Sequence, residues 1–158
     1  MTRLLLIVAV LAVATAIGLW WRARNGRYTA VDPTVLAAAA RDEGHDEGAE
    51  RLRPDEIGAP LGTRATFVQL SSEVCAPCRR THAVLGTIVA ERDDLAHVDL
   101  DVTEHLDLVR RFHVLRTPTT LLLDARGVVV GRLSGATDRH HALAALDHLP
   151  VTSPRSAS

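Results

Sequence analysis

Hydrophobic and polar positions divide the chain into regions of different character. Residues 4–21 are apolar and carry no charge, residues 22–60 are mostly small or charged, and residues 61–149 hold short apolar runs with strand-like and helix-like periods. Residues 1–3 form a short flank, and the polar residues 150–158 are predicted to be a disordered tail. The pattern therefore predicts one folded domain that follows a hydrophobic segment and a charged linker.

The region at residues 61–149 predicts an α/β domain. Strands are predicted at residues 65–71, 95–101, 119–123 and 128–133, and helices are predicted at residues 77–91, after a cap at Thr103 and after a cap at Thr137. The sequence Asp-Ala-Arg-Gly joins the last two strands in a hairpin. The order β-α-β-α-β-β-α predicts a four-stranded mixed sheet with helices on both faces.

The uncharged segment at residues 4–21 predicts one N-terminal transmembrane helix. Its 18 residues would span roughly 27 Å as a helix, which is close to the thickness of a bilayer core. Trp20 and Trp21 stand at its end, where an interfacial aromatic belt is found. A cleaved signal peptide is the alternative, because Ala-Thr-Ala at residues 14–16 resembles a cleavage site. The apolar run continues past that site, which favours a retained membrane anchor.

Charge excludes one class of partner and predicts an orientation for the anchor. The formal net charge is −1 and no long basic run is present, so we expect no nucleic-acid partner. Arg22, Arg24 and Arg27 follow the predicted anchor, whereas Arg3 and the amino terminus precede it. The positive-inside rule then favours a cytoplasmic domain, and an extracytoplasmic domain is the alternative.

The two cysteines of the chain, Cys75 and Cys78, enclose Ala76 and Pro77 between a predicted strand and a predicted helix. A bridge across so short a loop constrains the unfolded chain little, so the pair calls for a chemical role. Free N–H groups and the helix dipole stabilise a thiolate at a helix N-terminus, and proline suits the first turn. We expect Cys75 to be the nucleophile and Cys78 the resolving thiol of a thiol-disulfide exchange that needs no cofactor.

Two other interpretations of the cysteine pair stay open. A zinc site would need two further ligands, for which His82, His97 and His105 are candidates, but the sequence holds no second Cys-x-x-Cys pair. Two inert cysteines would leave a redox-silent binding module tethered to the membrane. The spacing and the strand-to-helix placement favour redox chemistry without a bound metal.

The motifs FVQLSSEVCAPC, VDLDV, RTPTTLLLD and GVVVGRLSGA together resemble the thioredoxin family over about residues 60–149. The resemblance implies a thioredoxin-like fold and a thiol-disulfide oxidoreductase that acts on protein disulfides or dithiols, with an unidentified electron donor or acceptor. It implies that the bond between Thr117 and Pro118 is cis, and that these residues, with Ala76 and Pro77, contact the substrate. The Thr-Pro-Thr-Thr run is similar to that of membrane-tethered bacterial thioredoxin-like proteins linked to cytochrome maturation.

Three positions depart from the family pattern. Val74 and Ser71 stand where thioredoxins usually carry tryptophan, which reduces the aromatic surface around the nucleophile. Gln69 stands at the position of the buried aspartate that takes a proton from the resolving cysteine, and an amide cannot act as a base. Glu73 and His97 are candidate substitutes, although a surface glutamate and a strand-end histidine are the simpler interpretations. We therefore expect slow resolution by the second cysteine near neutral pH.

Overall fold

The structure is a computed structural model that describes residues 2–24, 27–30 and 50–149. Two parts of the sequence-based prediction lie outside these residues. They are the tail at residues 150–158 and the middle of the predicted linker at residues 31–49.

Helix α1 covers Thr2–Arg24 and includes the whole apolar segment at residues 4–21. The large apolar side chains described along it, from Leu5 to Trp20, are each between 54% and 68% exposed. No helix in the described part of the chain is long and apolar enough to span a membrane. The predicted helical conformation is therefore present, whereas the predicted transmembrane span is not supported.

Five strands form one mixed sheet, in the order β1-β5-β4-β2-β3. The strands are β1 at Arg27–Ala30, β2 at Ala65–Ser71, β3 at Leu95–Asp101, β4 at Thr119–Asp124 and β5 at Val129–Ser134. Strands β2 and β3 are parallel, and the other neighbouring pairs are antiparallel. Strands β2 to β5 are the four that the sequence predicts, and β2 and β3 have the predicted bounds.

The remaining helices are α2 at Pro54–Ile57, α3 at Ala76–Ala90, α4 at Leu106–Arg111 and α5 at Arg139–Asp147. They cover both faces of the sheet. Successive residues of β2, which lies between β4 and β3, point to these opposite faces. Phe67 packs in the cluster that contains Leu85 of α3 and Leu146 of α5. Val68 packs in the cluster that contains Leu108 of α4 and Leu52. The order β-α-β-α-β-β-α after residue 61 is the predicted thioredoxin-like order.

The sheet has one strand more than predicted, and the charged linker is shorter. Strand β1 adds to the edge of β5, with Tyr28 opposite Leu133. Tyr28 and Thr29 favour a strand, but a run of four residues is too short to predict one, and the pairing uses main-chain groups that any residue provides. Closer to the domain, Leu52 and Ile57 are buried in the core, and the Leu52 amide donates to the Gly127 carbonyl at 2.9 Å. Part of the predicted linker therefore belongs to the fold.

Neither predicted threonine cap is at the start of a helix. The Thr103 amide and hydroxyl both donate to Asp101 Oδ1, at 2.7 and 2.6 Å, in a turn that precedes α4. Asp138, the residue after Thr137, caps α5, and its Oδ1 accepts from the His141 amide at 2.9 Å. An ionised carboxylate forms a stronger bond to an amide than a hydroxyl does, which explains why the neighbouring aspartates act as acceptors.

Candidate active site

The cysteine pair lies where β2 passes into α3. Cys75 is the N-cap of α3, in an extended conformation, and its Sγ accepts from the Cys78 amide at 3.1 Å. The two residues form a disulfide, with their Cα atoms 5.2 Å apart. Pro77 lies in the first turn of the helix, where a residue without an N–H costs no intrahelical bond. The sequence thus places both sulfurs at the positive end of a helix of 15 residues.

The two sulfurs differ in access to solvent. Cys75 is partly exposed, whereas Cys78 is 3% exposed and packs inside the domain. Ala76 and Pro77, which separate them, are both exposed. A partner molecule could therefore approach the sulfur of Cys75 but not that of Cys78. This asymmetry is the one that a nucleophile at Cys75 and a resolving thiol at Cys78 would require.

The bond between Thr117 and Pro118 is cis, as the family resemblance implies. Pro118 is buried, and its carbonyl accepts from the Gly135 amide at 2.8 Å. Thr117 Oγ1 and Ser72 Oγ lie 3.5 Å apart and share a hydrogen bond. Because the Ser72 carbonyl also accepts from the Cys75 amide at 3.2 Å, Ser72 links the proline loop to the cysteine loop. The structure therefore brings together the two loops that were predicted to form the site.

Gln69 lies beneath the cysteine pair in the centre of β2 and is fully buried. Its Nε2 donates to Ser71 Oγ at 2.7 Å and to the Cys78 carbonyl at 3.1 Å. Within the described residues its Oε1 has no hydrogen-bond partner. The neighbouring strands place Asp99 and Thr120 opposite Gln69. The amide therefore supports the backbone of Cys78 and offers no group that could accept a proton from its thiol.

A pocket of about 520 Å³ adjoins the buried cysteine. The residues that line it come from the cysteine loop, the first turns of α3 and the end of β3: Ser71, Ser72, Glu73, Cys78, Arg79, His82, Asp99 and Asp101. A space of this size holds several water molecules, because one water needs only about 30 Å³. Solvent and ionisable groups can therefore approach Cys78 from the side away from Cys75.

A histidine–aspartate pair stands in the wall of this pocket. His82 Nδ1 and Asp99 Oδ2 lie 2.9 Å apart, which joins α3 to β3. The ring of His97 packs against that of His82 at a centroid distance of 5.0 Å. Burial, and secondarily the charge of His82, lowers the pKa of His97 to about 4, against a weaker opposite effect of Asp99. His97 is therefore neutral near pH 7.

Glu73 and His97, the two predicted substitutes for the aspartate that Gln69 replaces, lie in different surroundings. Glu73 is exposed and lines the pocket beside Cys78. His97 is partly buried, pairs with Phe67 in the sheet register, and is not among the residues that line the pocket. Sequence reasoning did not predict that His82 and Asp99 would pair in the wall of the pocket beside Cys78. The spacing of Cys78 and His82 on one helix was the available signal, since residues four apart share a helix face.

Comparison with known proteins shows that part of the chain is similar in sequence to a thioredoxin. No protein-family model matches the chain. Thioredoxin H2 of Arabidopsis thaliana is 33% identical over 69 residues, which are 44% of this chain and 51% of that protein. The chain thus spans about half the length of the curated relative that it matches.

Solved structures of thioredoxins also match about half of this chain. Thioredoxin NaTrxh from Nicotiana alata is 28% identical, with 56% of this chain and 76% of that chain covered and a TM-score of 0.48. The oxidised form of mitochondrial thioredoxin 3 from Saccharomyces cerevisiae is 22% identical, with 55% and 80% covered and a TM-score of 0.49. The thioredoxin-like fold of this chain is evident from its own strand order, helix placement and cis-proline loop.

Proposed function

We propose that the chain is a thiol-disulfide oxidoreductase that exchanges protein disulfides through Cys75 and Cys78. One observation carries the proposal: a disulfide at the start of α3 joins an accessible sulfur to a buried one, beside a cis-proline loop. The likeness to Thioredoxin H2 supports the same activity. No cofactor is required, because the two sulfurs carry the electron pair.

The reaction proceeds through a mixed disulfide. In the reduced chain, the thiolate of Cys75 attacks one sulfur of the partner's disulfide, and the other partner sulfur leaves as a thiolate that takes up a proton. Cys78 then loses its proton and attacks Cys75 Sγ, which restores the intramolecular disulfide and releases the second partner sulfur. Two electrons pass from the cysteine pair to the partner, and each step breaks one S–S bond and forms another. The reverse sequence oxidises a dithiol partner.

The surface around Cys75 suits an extended polypeptide with apolar side chains. Val74, which precedes Cys75, is 93% exposed, and Leu115, which precedes the cis-proline loop, is 94% exposed. Both side chains are therefore accessible to an apolar side chain of a partner. We propose that a protein substrate packs against them and that its main chain lies along Thr117 and Pro118. Neither aliphatic residue offers the flat ring of the tryptophan that thioredoxins usually carry before the first cysteine.

The cysteine roles can be tested by trapping. Cys75→Ser should abolish reduction of a protein disulfide such as that of insulin, because no accessible thiolate remains. Cys78→Ser should accumulate mixed disulfides through Cys75, visible as dithiothreitol-sensitive bands on non-reducing gels. The double variant is the matched control and should trap nothing. A wild-type chain that reduces no protein disulfide, together with a Cys78→Ser chain that traps none, would favour the redox-silent binding module instead.

The place of the enzyme in the cell is a separate proposal that rests on the sequence. The apolar residues 4–21 predict attachment to a membrane, and the arginines that follow them predict a folded domain on the cytoplasmic side. The structure gives the attachment no support, since none of its described helices is long and apolar enough to cross a membrane. On the cytoplasmic side the pair would rest as a dithiol and act as a reductant, whereas outside it would meet oxidised partners.

Fractionation tests both parts of this proposal. An attached chain should stay with membranes after extraction with alkaline carbonate, and a chain that is released contradicts the attachment. A cytoplasmic domain should resist protease added to intact spheroplasts and become sensitive after lysis. Digestion of residues 61–149 without lysis would contradict the cytoplasmic side.

A further inference from the structure

We propose that His82, held by Asp99, exchanges the proton of the Cys78 thiol through the pocket that both residues line. The proposal rests on the proposed thiol-disulfide exchange and adds the group that moves its proton. In this arrangement His82 is the proton relay and Asp99 is its positioning residue. His82 accepts the proton of the Cys78 thiol, which the buried amide of Gln69 cannot do.

The geometry of α3 brings the two groups to the same side of the helix. Cys78 and His82 are four residues apart within Ala76–Ala90, so their Cβ atoms stand about 6 Å apart on one face. Both residues line the same pocket, and the rest of the Cys78 surface is buried in the domain. A proton that leaves the thiol on this side therefore passes directly, or through water in the pocket, to the imidazole.

The bond to Asp99 fixes which ring nitrogen of His82 is basic. A carboxylate only accepts hydrogen bonds, so the 2.9 Å contact makes His82 Nδ1 the donor. The neutral ring then carries its lone pair on Nε2, the nitrogen that Asp99 does not contact. The same carboxylate stabilises the imidazolium that forms once Nε2 has taken a proton. Asp99 on β3 pairs with Gln69 on β2 in the parallel register. The carboxylate of this chain therefore lies one strand away from the position at which thioredoxins carry their buried aspartate.

The charges around His82 come from each element packed against it. Arg79 on its own helix is positive, and Glu73 in the cysteine loop and Asp101 on β3 are negative; all three line the pocket. His97 on β3 contacts the ring face and is neutral near pH 7, because burial lowers its pKa to about 4. Three carboxylates and one guanidinium therefore face the pocket into which the proton moves.

The relay acts in both directions of the exchange. During resolution, His82 Nε2 takes the proton as Cys78 attacks Cys75 Sγ, the bond from Cys75 to the partner breaks, and the partner leaves with the electron pair. When a partner thiolate attacks the oxidised chain at Cys75, Cys78 leaves as a thiolate and regains a proton from His82. The oxidant or reductant in each direction is the partner. His82 returns the proton to solvent through the pocket after resolution and takes one up from solvent in the reverse direction.

A small aromatic disulfide isolates the step that the relay would assist. The reduced full-length chain is mixed with dithiobis-nitrobenzoate in a stopped-flow instrument, and released nitrothiobenzoate is followed by absorbance. The first equivalent reports the attack of Cys75 and depends on reagent concentration. The second equivalent reports the attack of Cys78 on Cys75 and does not depend on it.

We expect His82→Asn to slow the second phase at least about tenfold at pH 7 and to leave the first unchanged. The difference should shrink as the pH rises, because a larger share of the thiol is then ionised without help. Asp99→Asn should slow the same phase less. His140→Asn, at an exposed histidine on α5, is the matched control and should behave as wild type.

Each outcome decides one of the two proposals. An unchanged second phase in His82→Asn, or one slowed equally at every pH, overturns the relay, since a purely structural defect would not fade as the thiol ionises. If both stopped-flow phases behave as expected but the chain reduces no protein disulfide, the proposed function is contradicted and the proton relay is not. A wild-type chain that releases a single equivalent contradicts both.

Discussion

Acid should destabilise the fold through His97, a partly buried histidine on β3. Its Nε2 is fully buried and, in the part of the chain that the structure describes, has no hydrogen-bond partner. Burial first, and the charge of His82 second, lowers its pKa from 6.5 to about 4. As the pH falls below 6.5 the unfolded chain binds this proton more readily than the folded chain does. Stability that is present above pH 6.5 is therefore lost as the pH falls towards 4.

The magnitude follows from the displaced pKa of His97. At about 1.4 kcal/mol for each tenfold change in proton affinity, a fall from 6.5 to about 4 corresponds to about 3 kcal/mol at its low-pH limit. About 2 kcal/mol of this should be lost by about pH 5. That is a large share of the total for a small domain, whose free energy of unfolding is typically about 5–15 kcal/mol.

Urea unfolding of the oxidised chain at a series of pH values measures this effect. His97→Phe keeps a ring of similar size on a strand and removes the titrating nitrogen. Between about pH 7 and pH 5 the wild type should lose about 2 kcal/mol more than this variant, because other groups titrate in both. His140→Phe is the control at an exposed site. Parallel curves for wild type and His97→Phe would refute the assignment of the pH dependence to His97.

Four further substitutions test the packing around the site and the sheet. Gly127→Ala should destabilise the chain by more than about 3 kcal/mol in thermal or urea unfolding, because φ is +82° and a Cβ would lie 2.2 Å from the Leu52 carbonyl oxygen. Gly58→Ala is the control: its φ is +67° but no atom lies near the new Cβ, so it should cost only about 1 kcal/mol. Thr120→Val removes a buried hydroxyl that has no partner among the described residues, so urea unfolding should show no loss of stability. Gln69→Asp should cost at least about 1–3 kcal/mol at neutral pH by burying a carboxylate, and it should change the second phase of the aromatic disulfide reaction little, because His82 already supplies a base. A large acceleration in a folded variant would contradict the proposed relay.

Features that depend on neighbouring residues could be predicted from the sequence. The cysteine motif, the strands at residues 65–71 and 95–101, and the turn before β5 each have local signals: spacing, alternation and turn-forming residues. The cis bond at Thr117–Pro118 was predicted from family resemblance, since an isolated X-Pro bond is cis in only about 5–6% of cases. The structure agrees with these predictions in the places where short-range preference and tertiary packing favour the same conformation.

Features set by contacts between distant segments could not be predicted in this way. Strand β1 depends on an open edge of β5 about a hundred residues further along the chain, and its own four residues do not specify it. The pairing of His82 with Asp99 depends on the register of β2 against β3 and on the rotation of α3 above them. A one-residue slip would turn Asp99 to the other face of the sheet, so no local pattern could place it beside the histidine.

Strand β1 also matters for handling the protein, because it covers the outer edge of β5. An uncovered edge strand presents unpaired main-chain groups on which another chain can add, which leads to aggregation or domain swapping. A shortened protein that begins near residue 61, as the sequence motifs alone would suggest, loses both this cover and the buried side chains of Leu52 and Ile57. Such a protein would keep both cysteines and the proline loop, yet it would present β5 as an open template for self-association.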